Sequence, residues 1–259
     1  MGAFMAERHT KNWELHLKET ETSALDVATE FIGNFDGLPE GNGFLVEEQT
    51  AGRGRMGRVW ISRKNDGMYF SVILTPKRGI QEWPTLSFVA SLAAVQTLSV
   101  ICPDVPVSLK WPNDLMVDNK KIGGILLESA SPHVIIGCGI NIKNAPDITD
   151  AVYPSTDIAN YQADLPDAQE IANAYMSHLE VLYEIWQNCG PAPILARWQD
   201  KSNIIGRQLT VKVSDKMVSG KCEALEPDGR LNLVDSDGNV HLITVGDVVL
   251  MGEADAAGH

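Results

Sequence analysis

The stretch QTAGRGRMGRVW, residues 49–60, sets Arg53, Arg55 and Arg58 among Gly52, Gly54 and Gly57. The glycines spell G-x-G-x-x-G. In a doubly wound α/β fold that pattern opens a helix whose N-terminus receives a pyrophosphate, with an acidic residue about 20 positions later for the ribose. Here Arg58-Val59-Trp60-Ile61-Ser62 follows, which is β-branched and aromatic and reads as a strand. No helix end is on offer, so the dinucleotide reading fails. A Walker A loop fails too, because no Gly-Lys-Ser/Thr follows. What remains is a loop whose glycines let the backbone approach an anion while guanidinium forks reach it bidentately. Three like charges so close repel one another, which favours mobility until an anion arrives. Taken alone, these residues leave open a solvated basic loop or a nucleic-acid arm.

Composition narrows the choice. The chain has 259 residues, 44% hydrophobic and 21% charged, as an ordinary globular protein does. Its 21 Lys plus Arg stand against 34 Asp plus Glu, a net charge of −13. So acidic a body repels nucleic acid and anionic membranes on average, and any anion site must be a local basic patch. The start, MGAFMAERHTKNWELHL, is polar and mixed, and no apolar run suggests a membrane span. These features predict a cytoplasmic protein with neither nucleic-acid nor membrane partners. Cys102, Cys138, Cys189 and Cys222 lie far apart and read as reduced. The six histidines show no metal-ligand spacing, so no protein-held metal is expected.

The pattern along the chain is α+β. WELHLKET (13–20) alternates like a strand, and Leu25, Ala28, Phe31 and Ile32 then share a helical face. Strands are expected at GFLVEEQT, RVWIS and GMYFSVILTP, then a long apolar helix that Pro103 ends. PVSLKWP, a hairpin in DLMVDNKKIGGILLES and HVIIGCGINIK supply further strands. A loop spans 145–168, a helix runs from about Asp167 to Asn188 with Ile171, Tyr175, Leu179 and Leu182 on one side, and a short helix lies in PAPILARWQDKS. Beyond Ile205, short strands alternate with turns at Asp228-Gly229 and Asp237-Gly238, which reads as a small β-barrel. The expected class is α+β, with this barrel at the end of the chain. The boundaries are 12–203 for the first unit and 204–252 for the second, with a disordered tail at 253–259.

Three further segments follow the arginine loop in order: KWPNDL (110–115), KIGGILLES (121–129) and GCGIN (137–141). With QTAGRGRMGRVW they resemble the catalytic domain of biotin protein ligases, over about residues 12–145, and the terminal barrel matches that family's small C-terminal domain. Lipoate ligases share the fold, but GRGRMGR with KWPND points to the biotin branch. The resemblance implies a mixed central sheet with helices packed on it, and a two-step reaction. Biotin and ATP, with Mg²⁺, give biotinyl-5′-AMP and pyrophosphate; a lysine of a biotin carboxyl carrier domain of acetyl-CoA carboxylase or a related carboxylase then displaces AMP. No tightly bound cofactor is implied, and the protein is expected as monomer or homodimer. With about a dozen residues before the first strand, at ~1.5 Å rise per helical residue, a DNA-binding winged helix does not fit, so the monofunctional form is expected.

The resemblance also assigns roles. Arg53 and Arg55 would close over the biotin carboxylate and the phosphates, Arg58 would handle nucleotide phosphates, and Gly52, Gly54 and Gly57 would let the loop fold over the adenylate and exclude water. Lys121 would contact the activated carboxyl and α-phosphate, with Lys120 on the opposite, outer face of the strand. Gly123 and Gly124 would lie against biotin's flat bicycle, or else mark a β-bulge. Pro112 would present Asn113 and Asp114, Asp114 near the acceptor amine and Mg²⁺, with Lys110 by the phosphates; PND also reads as a plain turn. Asn141 would help position phosphate or metal, and Gln49 would bond the biotin ring. Trp60 reads either as a platform for adenine or as a core tryptophan. Where the family carries Ser-Thr-Asn, this chain has Glu21-Thr22-Ser23. Thr22 fits the middle position; Ser23 either binds biotin or caps the helix. Glu21 keeps a lipoate or other acyl ligase, or a non-catalytic adenylate-binding relative, as alternatives.

Overall fold

A seven-stranded sheet forms the body, and its most buried strand shows why. In this computed structural model, which describes residues 13–148, 153–202, 204–213 and 216–250, β3 (Gly67–Leu74) is buried at every position. Its run GMYFSVIL has no polar face to turn to water, so both faces must be covered. Ile73 packs toward α1 (Ala24–Asn34) with Leu25, Ala28, Phe44 and Ile135. Phe70, Val72 and Leu74, pointing the other way, join the larger core under α2 (Leu86–Ile101) and α3 (Ala168–Cys189).

Around β3 the strands are β1 (Glu14–Glu21), β2 (Asn42–Gln49), β4 (Ser108–Lys110), β5 (Asp114–Val117), β6 (Lys120–Ala130) and β7 (His133–Asn141), in the order β1-β2-β3-β7-β6-β5-β4. Only β1 and β2 run parallel, so the sheet is mixed, as expected. The β5–β6 hairpin turns at Asp118 and Asn119, both at positive φ (48° and 59°), which Asp and Asn tolerate.

α2 is apolar all round because the core surrounds it, and it ends at Ile101, just ahead of Pro103. Among the described residues, the stretch Ile80–Ile101 is long and apolar enough to cross a membrane, contrary to the sequence reading. With 67% of its most apolar window buried inside the protein, it is a core helix. Its buried hydroxyls are satisfied: Ser91 Oγ donates to Ser87 O at 2.8 Å and accepts from Trp198 Nε1 at 2.9 Å, on α4 (Ala192–Gln199). On α3, Ile171, Tyr175, Leu179, Leu182 and Trp186 form the buried stripe, and Asp167 caps its start through Glu170 N at 2.7 Å.

The C-terminal strands are β8 (Gln208–Val213), β9 (Lys216–Leu225), β10 (Leu231–Val234), β11 (Val240–Ile243) and β12 (Asp247–Leu250), antiparallel throughout in the order β11-β10-β9-β8-β12. Gly229 and Gly238 take positive φ at the two Asp-Gly turns. This barrel-like sheet docks on the body through Trp111, whose Nε1 donates to Gly229 O at 2.9 Å. Asn203, where the boundary was expected, and the tail 253–259 lie outside the described residues.

The strand expected at RVWIS does not form. Residues 49–62 double back on themselves: Gly54 N donates to Arg58 O at 2.7 Å, Trp60 N donates to Gly52 O at 2.9 Å, and Val59 makes one bridge to Arg53. Met56 (φ 55°) and Gly57 (φ 74°) close the tip. The β-prone residues found their partner in the loop's own other arm, so they never joined the sheet.

Candidate active site

A cavity of about 440 Å³ opens where the arginine loop faces the sheet. Its floor is β7, where Gly137 and Gly139 present no side chain on this face. A Cβ on Gly139 would stand 2.7 Å from the Trp60 ring, so the glycine is what lets the indole lie against the strand. A Cβ on Gly137 would meet Leu25 at 3.1 Å.

The cavity's chemistry is concentrated around Asp114. It accepts from Lys121 Nζ at 2.5 Å and from Lys110 Nζ at 3.1 Å. The hairpin explains the meeting. A register shift between Leu115 and Met116 pairs Asp114 with Gly124 and Met116 with Lys121, so a bulge turns Lys121 toward the aspartate. Burial would raise the Asp114 carboxyl, but the charges of Lys121 and Lys110 outweigh it and hold it below its usual range. Burial pulls the Lys110 ammonium down, against the attraction of Asp114. Lys110 Nζ also lies 4.3 Å from the centre of the Tyr153 ring.

The three arginines part ways. Arg53 is bidentate on Glu128 (Nε and Nη2, both 3.1 Å) and holds Asp26 at 2.6 Å. Arg58 pairs with Asp247 of β12 at 2.6 Å. Among the described residues Arg55 bonds a neutral partner, Asn113 Oδ1, at 3.0 Å, and Asn113 Nδ2 donates in turn to Ile125 O at 2.5 Å. Burial draws the Arg55 guanidinium below its ordinary value, against the attraction of Asp114 and Asp247. Among the described residues, two lysines and Arg55 against one aspartate give this centre a net charge of +2, within a protein of net charge −13. It is built to receive anions.

Of the residues singled out from sequence, Gln49, Arg53, Gly54, Arg55, Arg58, Trp60, Lys110, Pro112, Asn113, Asp114, Lys121, Gly124 and Asn141 line the cavity. Gln49 ties α1 to the loop: its Oε1 accepts from Ala24 N at 2.9 Å and its Nε2 donates to Ser62 Oγ at 3.2 Å. Asn141 Nδ2 is already committed to Thr156 O at 3.0 Å. Thr22, Ser23, Gly52, Gly57 and Gly123 fall outside the lining. Ser23 is buried as the cap of α1, accepting from Asp26 N at 3.1 Å, and Thr22 is exposed. Gly123 is glycine because a Cβ would meet Gly139 O at 2.6 Å, and Gly52 because one would meet Trp60 O. Glu21 is also absent from the lining; its carbonyl holds Thr50 N at 2.9 Å. Sequence reasoning missed Tyr153 and Asp247, which line the cavity from a proline-rich loop and from the C-terminal sheet. No local pattern marks either.

A family model described as the biotin/lipoate A/B protein ligase family matches residues 15–141. The chain is 32% identical over 209 residues to the biotin–[acetyl-CoA-carboxylase] ligase of Mycobacterium tuberculosis, covering 79% of this chain and 77% of that one. It is 30% identical over 229 residues to the bifunctional ligase/repressor BirA of Bacillus subtilis, 86% and 68% covered. Among solved structures, the biotin protein ligase from Aquifex aeolicus in complex with biotin and ATP has a TM-score of 0.79 at 24% identity, over 92% of this chain and 98% of that one; this likeness speaks for the fold. The Leishmania major biotin protein ligase in complex with biotinyl-5-AMP matches with a TM-score of 0.64 and 26% identity, over 90% and 99%. Similarity this extensive in sequence, through both the arginine loop and the lysine-bearing hairpin, leaves one conclusion: the chain belongs to the biotin protein ligase family.

Proposed function

We propose that this cavity is where the chain joins the carboxylate of biotin to the α-phosphate of ATP, and where the acyl group then passes to a lysine of a biotin carboxyl carrier protein. The observation that carries the reading is the Lys110–Asp114–Lys121 cluster beside Arg55. Two anions must meet for the first step, and their repulsion is the obstacle that fixed positive charge removes. Biotin's carboxylate oxygen attacks the α-phosphorus and pyrophosphate leaves; the acceptor amine then attacks the acyl carbon, and AMP leaves with the bonding electrons. Lys121, Lys110 and Arg55 neutralise the reacting oxygens, and Asp114 holds both ammonium groups in place. The Trp60 ring beside the bare β7 backbone offers the flat surface an adenine or a ureido ring needs.

Among the described residues no cluster of acidic, histidine or cysteine side chains is arranged to hold a metal alone. Magnesium fits as the counter-ion of the triphosphate, with Asp114 the carboxylate beside it, and it would neutralise phosphate charge. We assign the carrier as that of acetyl-CoA carboxylase and the compartment as the cytoplasm. Free cysteines, one of them the exposed Cys189, suit a reducing environment. We also divide the chain at about residue 203, between the end of α4 at Gln199 and the start of β8 at Gln208. The lipoate alternative rested on Glu21, which does not line the cavity.

The test is ATP-dependent transfer of biotin to a purified carrier domain, read as added mass on its lysine, with lipoate as control. Transfer of lipoate without transfer of biotin would overturn the reading. A second expectation concerns the floor. Gly139→Ala pushes the Trp60 ring aside, so KM for ATP rises about tenfold with the melting temperature little changed. An unaltered KM would remove Trp60 from the nucleotide site.

A further inference from the structure

We infer that Asp26 and Glu128 are positioning residues for this reaction: they clamp Arg53 and so fix the root of the arginine loop, leaving Arg55 as the guanidinium that meets the anions. The inference rests on the adenylating function above and assigns the three arginines different tasks.

Arg53 uses three of its donor nitrogens on two carboxylates that come from different elements, Asp26 from α1 and Glu128 from β6. The loop root is thereby tied across the sheet and its covering helix. Asp26 is itself held in place in the first turn of α1, where its N–H donates to Ser23 Oγ at 3.1 Å while its carboxylate accepts from Arg53. An isolated exposed ion pair contributes little, but a bidentate pair with a second, braced carboxylate fixes geometry as well as charge. The charge count decides the role. One arginine against two carboxylates leaves the root with net charge −1, which repels a carboxylate or phosphate. Swinging Arg53 onto a substrate anion would also strand Asp26 and Glu128 beside it. Arg55 carries no such obligation, since its partner is the neutral Asn113 side chain. Gly54, extended between the two arginines (φ −113°, ψ −179°), is where the anchored and anion-seeking parts join.

The test compares Glu128→Gln, Asp26→Asn and Arg53→Ala with a double variant, Glu128→Gln plus Arg53→Ala. Two rates are read: formation of biotinyl-adenylate, from pyrophosphate release, and its escape from the enzyme to solvent. Each single variant should speed escape about tenfold while slowing formation no more than about threefold, and the double variant should be no worse than Arg53→Ala alone, because all of them break one clamp. A loss of formation of about a hundredfold in Arg53→Ala, or additive effects in the double variant, would overturn the inference in favour of direct contact with substrate. A structural readout stands apart from activity: in the ligand-free protein, Glu128→Gln should speed amide exchange across residues 52–58, and unchanged exchange overturns the clamp. Should the wild type form no biotinyl-adenylate, the proposed function fails, while the exchange measurement still decides the clamp.

Discussion

Replacing Lys121 by methionine lowers adenylate formation about a thousandfold, with the protein still folded, because it removes a fixed charge at the reacting oxygens. Lys121 Nζ sits 2.5 Å from Asp114, and its side chain is 31% exposed, so methionine keeps the aliphatic stem without leaving a hole. The backbone of Lys121 carries its structural duty separately: its N–H donates to Pro154 O at 2.8 Å and its carbonyl accepts from Thr156 N at 2.9 Å. The substitution halves the net positive charge of the centre and releases Asp114 from its stronger partner, so the aspartate turns from organiser into a repelling neighbour. Biotin-dependent exchange of pyrophosphate into ATP measures the step directly. Exchange within about threefold of wild type would strike Lys121 from the reacting centre.

Trp111→Ala is the variant expected to damage the fold most, by about 3–5 kcal/mol. Trp111 is 1% exposed, in the largest core cluster, and its Nε1 holds Gly229 O across the junction with the C-terminal sheet. Truncation leaves a cavity and strands a carbonyl at the same place. Phe88 packs so closely on Gly229 that a Cβ there would stand 2.5 Å from its ring, so the turn has no slack with which to refill the space. Trp111→Phe separates the two causes: it keeps most of the volume, loses the hydrogen bond, and should cost about 1–2 kcal/mol. Urea unfolding midpoints report both, and a loss below about 1 kcal/mol for the alanine variant would mean the junction is not held by this residue. Asp247, the partner of Arg58, sits on the sheet that Trp111 anchors, so transfer activity should fall in the alanine variant before global unfolding.

Most of the architecture could be read directly from the chain. The apolar periodicity of α3, the unbroken apolar runs of α2 and β3, the Asp118-Asn119 turn and the Asp-Gly turns are local signals, and each element formed within a residue or two of its expected place. The centre of the site was visible through the family resemblance of its motifs, and the fold shows why those motifs meet. Lys110, Asp114 and Lys121 lie on two adjacent turns of one meander, so nearness in sequence becomes nearness in space once the β5–β6 bulge is allowed for. The expected strand at RVWIS did not form, because strand propensity says that a segment wants a partner and not which partner it gets.

Local pattern therefore established the strands, the helices and a small C-terminal sheet, and the resemblance carried by the ordered motifs implied a mixed sheet and a basic centre made from the arginine loop and the KWPND and KIGG segments. The division of labour among the arginines came from packing. Arg53, Arg55 and Arg58 look equivalent in the chain, yet one faces two carboxylates, one a neutral amide and one an aspartate 189 residues away. Those partners sit on α1, β6, the turn before β5 and β12, elements that only the folded sheet and its docked C-terminal strands bring to one loop. An ion pair depends on distance in space, and for contacts of such separation the sequence holds the charges without the distances.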